Sequence, residues 1–153
     1  PLALAGSFKV TPVKLFLNES KKTDAVRLIN EGAEKVTIQV KPMNWSQGAD
    51  GEDLYSDTQD LAVFPKIFTV EPGEEGIVRI GRKSDEPLSV EKAYRIMIKE
   101  LPVSKPGQSA LKMALQFSVP VFASPSGILT DASIEKITLY NDKLSIWIKN
   151  SGN

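Results

Sequence analysis

Across residues 111–122 (LKMALQFSVPVF) apolar and polar positions alternate more regularly than anywhere else in the chain. Leu111, Met113, Leu115, Phe117, Val119 and Val121 share one parity, while Lys112, Gln116 and Ser118 share the other. This period of two is the signature of a strand with one apolar face. At about 3.3 Å per residue the run extends roughly 36 Å, against about 17–20 Å for an average strand, so part of it is expected to project beyond its own sheet. An overhanging apolar strand needs a partner. The same pattern also fits an ordinary core strand of a β-sandwich, bent or interrupted at Pro120.

Six further segments upstream carry strand signals. Residues 8–17 (FKVTPVKLFL) place Phe8, Val10, Pro12, Lys14 and Phe16 on one parity. A bulge at Pro12 would reset that parity and turn Lys14 to solvent; without one, the lysine aims into a cleft. Residues 25–30 (AVRLIN) and 35–45 (KVTIQVKPMNW), separated by a turn at residues 30–32, read as neighbouring antiparallel strands. Residues 46–60 are polar and aperiodic and read as a surface connection. The acidic residues there, Asp50, Glu52, Asp53, Asp57 and Asp60, lack the spacing of a helix-loop-helix calcium motif. Residues 61–70 (LAVFPKIFTV) carry a proline in an apolar run, which fits an edge or a strand that changes course. Residues 77–82 and 93–101 complete a set of seven strands, with no sustained 3.6-residue period. The fold class expected is all-β, an immunoglobulin-like seven-stranded sandwich without the usual cysteine pair.

After residue 123 a Ser-Pro-Ser-Gly linker leads to strands at 134–140 and 144–149, joined by a turn at Asn141-Asp142. Two strands make a marginal unit in water. The division expected is a short start at 1–5, an N-terminal immunoglobulin-like domain at 6–123, and a linker with the incomplete start of a second β-domain at 124–153. Residues 126–153 would then begin a second sandwich, or pack on the first domain or on another copy.

Composition narrows the function. The chain has 153 residues, 41% of them apolar, and its 19 basic and 19 acidic residues cancel. Nothing in that balance attracts nucleic acid or an anionic membrane. Cysteine and histidine are both absent, which removes thiolate and imidazole metal sites and every Ser-His triad. No catalytic residue, metal or cofactor is expected. No run reaches the roughly 18 apolar residues of a membrane span. Ala3-Leu4-Ala5 before Gly6 is similar to the end of a secretory signal, with cleavage expected after Ala5.

With its strands laid out, the chain resembles the periplasmic pilus chaperones, the PapD-like family of chaperone–usher systems. The likeness rests on the order and spacing of VTPVKLF at 10–16, AVRLINEG at 25–32, FPKIFTVEPGEEGIVRIGR at 64–82, YRIMIKELP at 94–102 and residues 115–125. VPVF at 119–122 is similar to the archaic or alternative branch. The resemblance implies a chaperone that completes a pilin's unfinished sandwich by lending it a strand, then delivers it to an outer-membrane usher. Leu111, Met113, Leu115 and Phe117, with Val119, would be the donor side chains. Full burial of four such residues contributes roughly 6–12 kcal/mol before ordering costs.

The family's best-studied branch binds the subunit's terminal carboxylate through an arginine and a lysine in the cleft between its domains. The resemblance places these on Lys14 and Pro120. Proline cannot bind an anion by its side chain or donate from its nitrogen, so Arg95 or Arg79 becomes the substitute cation. Self-association through the exposed strand edge is a further expectation. The rival reading is an immunoglobulin-like adhesion module that recognises a protein or sugar through its loops. Such a module should expose aromatics in its turns, whereas here the turns are polar.

Overall fold

The computed structural model describes residues 8–101 and 114–153. Ten strands form the first body: β1 (Phe8–Thr11), β2 (Leu15–Leu17), β3 (Thr23–Asn30), β4 (Val36–Gln47), β5 (Asp53–Asp57), β6 (Leu61–Phe64), β7 (Ile67–Val70), β8 (Glu75–Arg82), β9 (Lys92–Leu101) and β10 (Gln116–Ala123). One sheet has the order β1-β3-β8-β6. The other runs β2-β10-β9-β4-β5, with β7 also paired to β4.

Alternation drives the two sheets together. Val26 and Leu28 of β3 and Val78 and Ile80 of β8 face Ile38, Val40, Ile96, Ile98, Val119 and Val121 across one core, all buried. Each of these strands thus spends one face on the core, as a two-layer sandwich requires.

Ten strands stand where the alternation predicts seven, for three local reasons. Residues 8–17 divide at Pro12: β1 pairs antiparallel with β3, and β2 pairs parallel with β10 in the other sheet. After the crossing Leu15 and Leu17 are buried and Lys14 is exposed, so the parity resets. Residues 61–70 divide at Pro65 in the same way, β6 joining β8 and β7 joining β4. The polar connection at 46–60 is on the surface but contains β5, which extends the sheet through pairs such as Trp45↔Tyr55. All five β5 residues are exposed, which is why no alternation betrays the strand.

The expected pairing of the second and third segments is corrected. β3 and β4 lie in opposite sheets and meet only across the core. The loop between them crosses the sandwich because Asn30, fully buried, donates its side-chain amide to the Glu34 and Val70 carbonyls at 2.8 and 3.1 Å. Its side-chain oxygen accepts the Gly32 N–H at 3.0 Å. That set of bonds fixes a crossover, not a hairpin.

The last element is a hairpin, β11 (Ala132–Tyr140) and β12 (Lys143–Asn150), which forms a sheet of its own. Asn141 and Asp142 both have positive φ, 47° and 58°, the geometry of a two-residue type I′ turn. Ile134, Leu139, Leu144 and Ile148 are exposed.

Candidate functional site

β10 pairs antiparallel with β9 along its whole length, from Gln116↔Lys99 to Ala123↔Lys92. The Leu115 carbonyl continues the ladder by accepting the Glu100 N–H at 2.9 Å. On its other flank, β2 covers only Val121, Phe122 and Ala123. Among the described residues, Gln116 to Pro120 have no strand beside them on that flank. An uncovered edge is a template for another chain.

The apolar row above this edge divides in two. Val119 is 3% exposed and Val121 fully buried in the protein's own core. The Val119 methyls therefore contribute to the protein's own sandwich. Leu115 and Phe117 are half-buried, and the Phe117 ring meets Phe8 edge-on with centroids 6.3 Å apart. Leu111 and Met113, like Ala5 at the expected cleavage point, lie outside the described residues.

The candidate cations are separated by the fold. Pro120 is opposite Arg95 of β9, and the parallel register Leu15↔Val121 sets Lys14 one step before, beside Pro120. Lys14, Pro120 and Arg95 therefore form one row across the outer face. Arg79 belongs to the other sheet, paired with Ala25 and Phe64, and is exposed on its outer side because Val78 and Ile80 point inward. Arg79 is thus on a different sheet from Pro120 and Arg95.

Aromatic residues surround that row. Phe16 and Phe122 stack with centroids 5.8 Å apart, and Phe122 meets Trp45 at 6.0 Å. The Lys14 ammonium lies 5.7 Å from the Phe16 ring, and the Arg95 guanidinium 3.9 Å above Trp45, which is cation–π geometry. Trp45 donates its indole N–H to Asp53 at 2.8 Å, and Tyr55 donates its hydroxyl to the same carboxylate at 2.9 Å. Those two donors, with the nearby Arg95 charge, hold Asp53 below the usual carboxylate range, and Asp53 in turn raises the Tyr55 phenol. Arg95 is clamped against Trp45, with its Nε buried and without a hydrogen-bond partner. Phe16, Trp45, Tyr55 and Phe122 do not stand out in the sequence as members of one site. The only local signal is that Phe122 breaks the polar parity of its strand.

No curated protein matches the chain in sequence. Several solved structures are similar in fold. A chain of the CsuC–CsuE chaperone–tip subunit pre-assembly complex, from archaic Csu pili of Acinetobacter baumannii, superposes with TM-score 0.72 at 21% identity, over 95% of this chain and 72% of that one. The class 5 fimbriae chaperone CfaA gives 0.77 at 18% identity, over 96% and 68%. A chain of the Salmonella enterica SafA pilin–SafB chaperone complex gives 0.67 at 17%, over 95% and 69%. At such identities the likeness is one of fold. Family membership rests on the sequence profile described as pili and flagellar-assembly chaperone, PapD N-terminal domain: residues 7–129 match it, and the chain belongs to that family.

Proposed function

We propose that the chain is a periplasmic chaperone that captures a pilin subunit by lending it residues 111–117, the run that leads into β10, then passes it to an outer-membrane usher. The observation that carries this reading is the uncovered flank from Gln116 to Pro120, which continues the apolar alternation that begins at Leu111. Strand addition draws affinity from main-chain hydrogen bonds and specificity from alternate side chains. Leu111, Met113, Leu115 and Phe117 are the side chains that enter the subunit's groove. Two of the similar structures are complexes of a chaperone with a tip or pilin subunit, which supports a subunit as the partner.

Lys14 and Arg95, flanking Pro120, are the cations that receive the subunit's terminal carboxylate. The stacking of Arg95 on Trp45 supports this role, because a clamped guanidinium loses little freedom on binding. The test is co-expression with each pilin subunit of the protein's own fimbrial system, followed by size-exclusion chromatography. One co-eluting complex is expected, and Leu115→Glu should abolish it. Separate elution from every subunit would overturn the proposal.

A further inference from the structure

Backbone groups along β10 address its two flanks alternately. The Glu100 N–H donates to the Leu115 carbonyl on the β9 side, and the Ser124 N–H donates to the Leu17 carbonyl at 3.0 Å on the β2 side. Odd-numbered residues therefore serve β9, and even-numbered residues serve the opposite flank. The even positions are Gln116, Ser118, Pro120 and Phe122, of which Pro120 has no N–H to offer. β2 enters the ladder at Leu15, opposite Val121. One more rung of this parallel pairing would need a donor on Pro120 for the Val13 carbonyl, and the imide nitrogen supplies none.

A second proline in the same sheet obeys the same rule. In β4 the Val40 N–H donates to the Lys66 carbonyl and the Gly48 N–H to the Glu52 carbonyl, so even residues there address β7 and β5. Pro42 is even, and it falls in the gap after the β7 pairing ends at Gln39 and before the β5 pairing starts at Met43. Each mid-strand proline of this sheet marks a place where the neighbour on its amide side stops.

We propose that Pro120 divides the β10 edge. It halts β2 at Leu15, and it sets the last rung open to an incoming strand, which pairs with Gln116 and Ser118 and is held in a single register. The second half rests on the subunit-capture reading above; the first half does not. A lone missing donor suffices because a strand that slid two residues further would leave one of its own acceptors without a partner beside an apolar groove.

Two measurements on the full chain test this. In the free protein, amide exchange is compared between the new N–H introduced by Pro120→Ala and that of Ser118. The new amide should exchange at least about tenfold more slowly as β2 lengthens toward Val13. Exchange as fast as at Ser118 overturns the halt of β2. For the register, Gln116→Cys is introduced into a chain that has no cysteine and is co-expressed with a pilin subunit carrying single cysteines along the strand that borders its groove. One pilin position should dominate the disulfide yield, and adding Pro120→Ala should give a second position two residues away. A single unchanged position in that variant overturns the stop. If the unsubstituted chain binds no pilin while the free-chain exchange result holds, the capture reading and the guest register fall together, and the halt of β2 stands.

Discussion

Tyr94 donates its hydroxyl to Asp60 Oδ2 at 2.8 Å, joining the buried side of β9 to the turn before β6. Lys92 reaches the same oxygen at 2.9 Å. The Lys92 and Tyr94 donors hold the Asp60 carboxyl below its ordinary range. Burial, and then the Asp60 bond, push the Tyr94 phenol well up, so it remains a donor across the working pH range. Removing that hydroxyl leaves packing intact and strips one charge-assisted bond. Tyr94→Phe should cost about 1–2 kcal/mol in urea unfolding.

The same carboxylate gives the fold a sensitivity to acid. A group with a depressed folded pKa contributes stability that is complete above its unfolded value, about pH 4, and is lost as pH falls through the folded value. The wild-type unfolding midpoint should therefore drop more steeply below about pH 4 than that of Asp60→Asn. Parallel curves for the two proteins would show that Asp60 carries none of it.

Leu115 and Val119 share one parity, but Val119 is buried in the protein's own core and Leu115 is only half-buried. Val119→Ala should destabilise the free chain by about 1–3 kcal/mol, through lost burial and a residual cavity. Leu115→Ala should leave its unfolding midpoint nearly unchanged and weaken pilin capture. The check is one unfolding curve and one co-elution experiment per variant; interchanged effects would assign the strand wholly to its own core.

Lys14, Arg95 and Arg79 differ in position, not in charge. Lys14→Ala and Arg95→Ala should each weaken pilin capture about tenfold or more, the value of one charge-assisted contact. Arg79→Ala, on the far sheet, should not change it. Equal losses at all three would point to a diffuse charge effect, which rising salt would erase.

Gly76 allows Phe68 to lie across β8. A Cβ there would stand 2.3 Å from Phe68 Cε2, so Gly76→Ala should displace the ring at a cost of about 1–3 kcal/mol. Thermal unfolding measures it.

Much of this fold is legible in one dimension because the strands of a two-layer sandwich declare themselves by period. Residues 77–82, 93–101 and the hairpin at Asn141-Asp142 follow directly from alternation and turn chemistry. The pattern does not reveal which sheet a strand joins. That choice was made by Asn30 at one crossover and by Pro12 and Pro65 at two others, through bonds that depend on residues far along the chain. β5 was hidden because a strand with both faces in solvent has no apolar parity to display. At the site, the alternation from Leu115 to Val121 is plain in the sequence, but the step from half-buried Phe117 to buried Val119 is not. That step depends on what the opposite sheet places over each position, which the local pattern does not carry. Arg95 stands out in the sequence by its charge alone, whereas the Trp45 ring beneath it comes from another strand, and only the sheet brings the two together.

The shortness of β2 has a kinetic consequence. Because Gln116 and Ser118 have no strand beside them on the flank away from β9 among the described residues, the capture proposed above would need no local melting event, and the arrival rate of a guest strand would be limited by collision and alignment alone. Departure would be equally undemanding, since β10 keeps its ladder with β9 whether the other flank is occupied or vacant.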